Sequence, residues 1–317
     1  MKTDCPVCDS GTSSFYETID GYDYMQCGAC GALHIASDVI NDIDAGKSTR
    51  IYDAAYWQEE LRAARERANG AALVRAGEAI LYARRPVKLF LDVGTGPGYL
   101  LDRLSEQFPG RSGSFYGIEL FPPQEHSTHP NYRVGEVAEL DMTFDAGVCI
   151  EVIEHLTPKM LSSLAKSLAG VSAAGSLWLF NTGMPDYVLK EDRGYLDPLH
   201  RGHIVSYSLP GIAKIFEPHG FVVNAIPGKS YAFIAEFKPV ADVSDFAHRI
   251  YQPLGENKAF LEESGLMFQA AFEAARSSYY QEEYLARTHW ALGLDRELKR
   301  MFALSTAERK LLKFLRR

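Results

Sequence analysis

No apolar run reaches the roughly 18 residues a membrane-spanning helix needs. The first ten residues, MKTDCPVCDS, lack the apolar stretch of a secretory signal. Positive charge is in deficit. Lys and Arg number 33 against 41 Asp and Glu, a net charge of −8, which argues against a general binder of phosphate backbones and disfavours nucleic acid as a partner. Internal repeats and low-complexity segments are missing, which excludes solenoids and compositional tails. Cysteine is scarce: the chain has five, four of them in the first thirty residues. A disulfide framework is therefore not expected, and a cytoplasmic location is.

What is present is ordinary globular composition: 46% hydrophobic and 23% charged residues, enough to bury a sizeable core. At 317 residues the chain exceeds one small domain and suits a core domain with additions. Residues 1–40 read as a small ribbon, with short β-like pieces (SSFYETI, YDYMQC, ALHI) between glycine-rich turns. Residues 41–85 read as a linker followed by one helix running from residue 51 until Pro86 halts it. Residues 86–239 alternate strand and helix, which predicts an α/β domain with a mostly parallel sheet covered on both faces. The closing pair, FVVNAIPG and SYAFIAEFKP, is joined too tightly for a crossover and should be antiparallel. Residues 240–317 read as a helical extension.

Two cysteine pairs carry the first chemistry. Cys5 and Cys8, then Cys27 and Cys30, form a C-x2-C…C-x2-C pattern with 18 residues between the pairs. Two such turns present four thiolates to one ion, which suits closed, structural zinc with no open position for catalysis. Cys149 falls inside an apolar strand and reads as an inert core residue.

The second signal is Asp92-Val-Gly94-Thr-Gly96-Pro-Gly98, after an apolar strand and before an amphipathic helix. Glycines there let backbone pass close to a ligand at the strand's C-terminal edge. A dinucleotide fingerprint would need a third glycine where Tyr99 stands. The D-x-G-x-G-x-G pattern instead resembles motif I of class I S-adenosylmethionine-dependent methyltransferases. That resemblance covers roughly residues 87–239. It implies a doubly wound, Rossmann-like sheet of seven mostly parallel strands, preceded here by the ribbon. It implies that Asp92, Gly94, Gly96 and Gly98 hold the cofactor, that Glu119 binds its ribose, and that Glu136 and Val137 lie at its adenine. Glu151 joins this set.

Glu151-Val-Ile-Glu154-His155 leaves the fourth strand of that domain. On a helical start, these three side chains share a face. The string resembles the ExxEH motif of ubiquinone-biosynthesis-type O-methyltransferases. It is also similar to that of plant small-RNA 2′-O-methyltransferases, where two Glu and two His hold a divalent ion. With His203 as fourth ligand, the resemblance implies Mg, Mn or Zn at Glu151, Glu154, His155 and His203. In the metal-free reading these residues line the pocket, and His203, then His200 or His155, acts as base. Zinc-ribbon sugar C-methyltransferases, also similar, carry a histidine in the matching loop, though this chain lacks their long C-terminal domain.

These readings give a methyltransferase acting on a hydroxyl of a saccharide or other small molecule. The alternatives are C-methylation of a nucleotide-linked sugar and a non-catalytic binding module. Tyr52, Tyr56 and Trp57 form an aromatic cluster; the resemblance implies a lid over the cofactor pocket, and the alternative is ordinary core packing. From Leu298 onward the chain carries a net +6 interleaved with leucines, the composition of a weak membrane-surface contact through the basic C-terminus.

Overall fold

The computed structural model describes residues 3–9, 12–47, 54–240 and 246–315, with backbone alone at 3, 54–57, 59 and 304–315. Strands β1 (Thr3–Asp4), β2 (Thr12–Ile19), β3 (Tyr22–Cys27) and β4 (Leu33–Ile35) build the antiparallel ribbon, followed by helix α1 (Ser37–Asp44). Helices α2 (Ala54–Ala68) and α3 (Ala71–Tyr82) come next. The single helix expected from residue 51 is thus two, because Gly70 takes φ −137° and ψ −105°, outside the helical region. The linker expected from residue 41 also begins inside α1.

The α/β domain runs β5 (Phe90–Val93), α4 (Tyr99–Gln107), β6 (Phe115–Glu119), β7 (Tyr132–Val134), β8 (Phe144–Ile150), α5 (Pro158–Gly170), β9 (Ser172–Asn181), α6 (Pro185–Lys190), β10 (Val205–Ser206), α7 (Leu209–Phe216), β11 (Phe221–Ala225) and β12 (Ala232–Phe237). Seven of these strands form one sheet in the order β11-β12-β9-β8-β5-β6-β7. Strands β5 to β9 are parallel, and β12 inserts antiparallel between β9 and β11. This is the doubly wound, seven-stranded Rossmann-like fold with its last strand reversed. Strand order switches between β5 and β8, so a crevice opens at their C-terminal ends.

Alternation along β9 shows how two cores form. Trp178 and Phe180 enter one cluster while Leu177 and Leu179 enter the other, as a period of two requires. The first cluster joins α5 and α7 to the ribbon's Tyr24, Leu33 and Ile35. The short strand β10 does not join the large sheet; it completes the ribbon by pairing antiparallel with β4, Val205 opposite His34.

The second cluster is capped by α8 (Phe246–Tyr251), α9 (Gly255–Glu262) and the first turns of α10 (Gly265–Leu315). Asn257 donates to the carbonyls of Ala83 and Arg85 and accepts from the Val87 amide. Arg249, 1% exposed, pairs with buried Glu236 and donates to the Tyr82 carbonyl. A Cβ on Gly77 would lie 2.8 Å from Ala271, so α3 and α10 meet almost backbone to backbone. Beyond Tyr280, α10 exposes Tyr284, Trp290, Met301 and Phe302. Among the described residues no helix is long and apolar enough to cross a membrane.

Candidate active site

Between β5 and α4 the chain turns through Gly94, Gly96 and Gly98 at φ +69°, +57° and +81°. Side chains rarely adopt such values, and space forbids them too. A Cβ at Gly94 would come within 2.5 Å of Val152, and one at Gly98 within 2.6 Å of Ser127. The Gly94 and Thr95 amides donate to the Ile118 carbonyl, while the Tyr132 hydroxyl donates to that of Gly96.

Parallel pairing sets Val93 level with Ile118, which brings Glu119 beside the loop. Its two carboxylate oxygens accept from the Gly96 amide at 2.8 Å and the Phe121 amide at 2.9 Å. Asp92 lies beneath, 4% exposed, accepting from the Thr95 hydroxyl at 2.6 Å. Burial pushes its carboxyl up to about 7; the Thr95 bond opposes the rise and the Glu119 charge adds to it. After β7, Gly135 at φ +140° turns the chain into Glu136 and Val137.

One cavity of about 570 Å³ gathers most of this set: Asp92, Gly94, Gly96, Glu119, Glu136, Val137 and Glu151 all line it. Gly98 does not; it caps α4 from below. Glu60 and Arg67, an ion pair on α2, roof the cavity together with Ala72 of α3. Tyr52 lies outside the described residues, as do the side chains of Tyr56 and Trp57. Past His155 the cavity follows α5 along Lys159, Ser163 and Ser167.

The ExxEH string forms a 3-10 turn, Ile153–His155, at the end of β8. Glu151 is held at φ +54° and accepts from the Asn181 amide group at 2.8 Å. Glu154 is fully buried, and its Oε1 accepts from the Tyr195 hydroxyl at 2.9 Å. Burial, reinforced by the Glu151 charge, pushes the Glu154 carboxyl well above the usual carboxylate range.

Both nearby imidazoles have a fixed tautomer. His155 Nδ1 is 3.0 Å from the Gly202 carbonyl, and His203 Nδ1 is 2.7 Å from the Tyr195 carbonyl. A carbonyl only accepts, so each Nδ1 carries the proton and each Nε2 the basic lone pair. The rings meet edge to face at 4.9 Å, and His203 Nε2 is 3.8 Å from Glu154 Oε1.

Glu154, His155 and His203 thus offer ligand atoms all within 4.8 Å of one another, a group that does not include Glu151. Of the three candidate histidines, His155 lines the cavity. His203 is 5% exposed behind it, and exposed His200 bonds through its backbone to Asp197, away from the cavity wall. Sequence reasoning left Tyr195 unassigned. The contacts that give it a role, to Glu154, to the Gly183 amide and through its carbonyl to His203, span loops with no periodic signature.

In the ribbon, Cys5 and Cys30 place their sulfurs 3.9 Å apart, and Cys8 and Cys27 theirs 3.7 Å apart. A tetrahedron with Zn–S bonds of about 2.3 Å has edges of about 3.8 Å. All four sulfurs lie within 4.8 Å of one another. The amides of Ala29 and Cys30 also point at Cys27 Sγ from 3.4 Å, as donors to a thiolate would. The residues fit a four-thiolate ion.

The doubly wound sheet, its switch-point crevice and the glycine loop define a nucleotide-type cofactor fold. Residues 60–226, just over half of the chain, match the methyltransferase-domain family, and the chain belongs to that family. It is an S-adenosylmethionine-dependent methyltransferase. No curated protein matches it in sequence. Among solved structures it is similar to DesVI of Streptomyces venezuelae, at 15% identity over 58% of this chain and 98% of that one, TM-score 0.40. It is similar to CalS10, an amino pentose methyltransferase from Micromonospora echinaspora, at 16% identity over 59% and 98%, TM-score 0.41. Human N-acetylserotonin methyltransferase matches at 14% identity over 54% and 52%, TM-score 0.39.

Proposed function

We propose that this protein methylates a hydroxyl of a saccharide or small hydroxylated metabolite, with His155 as the base. The observation that carries the reading is the locked His155 tautomer on the wall of the cavity that the glycine loop opens into. The cavity lies within the usual volume range for a bound small molecule, and its lining is rich in acidic side chains that suit a cationic cofactor, Asp92, Glu119 and Glu151 among them. When bound, S-adenosylmethionine supplies a methyl group on a sulfonium, already activated for displacement. The chain's own tasks are positioning and proton removal. The glycine loop and Glu119 hold the cofactor's nucleoside end. Polar Lys159, Ser163 and Ser167 beyond His155 favour a hydroxylated acceptor. His155 Nε2 takes the hydroxyl proton as oxygen attacks. His203, Glu154 and Tyr195 hold the turn that carries it. The four cysteines of the ribbon hold structural zinc.

The test is a mass increase of about 14 units on an acceptor screened from cell extract, with S-adenosylhomocysteine as the second product. His155→Ala should cost about 10²–10⁴ in turnover with cofactor affinity unchanged. Full turnover in that variant ends the base assignment, and methylation at carbon moves the reaction to the C-methyl class.

A second reading has one supporting observation, the convergence of Glu154, His155 and His203. A divalent ion there would lower the acceptor's pKa. A mild chelator that abolishes turnover while ribbon zinc is retained, with rescue by Mg or Mn, selects this reading. Unaffected turnover selects the metal-free base.

A further inference from the structure

Resting on the reading of His155 and His203 as active-site groups, we propose that the cysteine ribbon is a positioning element of the active site, with Tyr24 as its contact residue. Tyr24 is the third residue of β3, three before its last residue Cys27, and its side chain is fully buried. Its hydroxyl crosses the seam and donates to the His203 carbonyl at 2.6 Å.

The segment just past His203 takes its strand pairing from the ribbon. Strand β10 is two residues long, and its strand partner is β4 of the ribbon. The Ile35 amide of β4 donates to the Ile204 carbonyl at 2.8 Å. On the opposite side, the Ile204 amide donates to the Glu154 carbonyl at 2.9 Å. Residue 204 therefore bridges the ribbon and the ExxEH turn through its two backbone groups. The same segment supplies the Gly202 carbonyl that fixes the His155 tautomer, and the Tyr207 hydroxyl that donates to Leu156. Apart from the Tyr195 carbonyl on His203 Nδ1, these contacts orienting the two imidazoles run through residues 202–207, and the ribbon clamps that segment from outside.

The clamp leads back to the cysteines. Strand β4 pairs with β3, whose last residue is Cys27, and the Cys27 amide closes the hairpin onto the Ala32 carbonyl. A Cβ on Gly211, at the start of α7 just past the segment, would lie 2.6 Å from Val7 and 3.8 Å from Cys30 Sγ. The metal-binding turns thus press on both the strand and the helix that flank His203. Loss of the four-cysteine centre frees β4, and with it the clamp, while the glycine loop on the far side of the turn keeps its own contacts.

The experiment uses the full-length protein. Tyr24→Phe keeps the ring and deletes the hydroxyl. The expected result is a fall in kcat of about tenfold to a hundredfold, the scale of a small misplacement of a reacting group, with the dissociation constant for S-adenosylmethionine changed by less than about twofold. Imidazole ¹⁵N spectra report the second readout: the Nδ1–H tautomers of His155 and His203, single in the parent, should broaden or mix in Tyr24→Phe. Cys27→Ser, checked for loss of zinc, should reproduce the spectral change with cofactor binding retained. Unchanged kcat and unchanged tautomer signals in Tyr24→Phe overturn the proposal. His155→Ala separates the two layers. If it and His203→Ala are fully active, the reading of the imidazoles fails. If they are inactive while Tyr24→Phe is unaffected, the positioning role alone fails.

Discussion

Replacing Glu119 by alanine tests the cofactor half of the site. The Glu119 carboxylate holds the loop through the Gly96 amide at 2.8 Å and its own turn through the Phe121 amide at 2.9 Å. With cofactor bound, the same oxygens are the acceptors available to ribose hydroxyls. Hydrogen bonds to charged groups contribute about 1.5–3 kcal/mol each. Glu119 is half-buried, so solvent competes, and a net loss equal to about one such bond is the reasonable figure. At about 1.4 kcal/mol per factor of ten, the dissociation constant for S-adenosylmethionine should rise about 10- to 100-fold. Glu119→Gln retains one acceptor but turns an NH2 toward a backbone donor, and should lose nearly as much. Calorimetry at fixed salt reads the affinity, and a thermal melt confirms that the sheet is intact. An affinity within about twofold of the parent, with an unchanged melt, refutes the assignment of Glu119 to the ribose.

Asp92→Asn should flatten a pH dependence of stability. The Asp92 carboxyl rises from 3.8 to about 7 on folding, so its stabilisation is complete below pH 3.8 and is lost as pH climbs through about 7; melts at pH 5 and 8 should fall further apart in the parent than in the variant. Arg249→Leu strands Glu236 in the core and should cost about 3–5 kcal/mol in denaturant unfolding, most of it recovered when Glu236→Leu is added; a cost below about 1 kcal/mol removes the pair from the stability of the C-terminal cap. Gly147→Ala would set a methyl 2.4 Å from Trp178 and 2.5 Å from the Leu91 carbonyl, and should destabilise the sheet by about 1–3 kcal/mol, read as a lower melting temperature with the cofactor-binding stoichiometry unchanged.

Local signals made the large sheet legible. Each parallel strand is a short apolar run, each covering helix has its own period, and the Pro227–Gly228 turn demands the antiparallel pair. The glycine loop and Glu119 were readable for the same reason: strand-end chemistry is fixed by position along one βαβ unit. The geometry around His203 was not. Its tautomer depends on the Tyr195 carbonyl, its place on Tyr24, and its distance from the cavity on His155 standing in front of it. None of these has a spacing to read, because each pairs residues from different loops. The break between α2 and α3 was missed because Gly70 inside a helical period is ordinarily tolerated, and here its backbone angles decide otherwise. The ribbon's fifth strand, two residues long, is too short to carry any alternation.

That fifth strand also orders events during synthesis. On the outer edge of β4, His34 finds its strand partner only when Val205 has been made, so the ribbon emerges from the ribosome with its last edge open. Four strands and four cysteines can close early, because their contacts are local, whereas the seam with β10 is among the most distant in the chain and must come late. Until then β4 presents unpaired amides and carbonyls, the kind of edge that recruits other strands. Early capture of a metal ion would hold that edge in shape while the rest of the chain is completed.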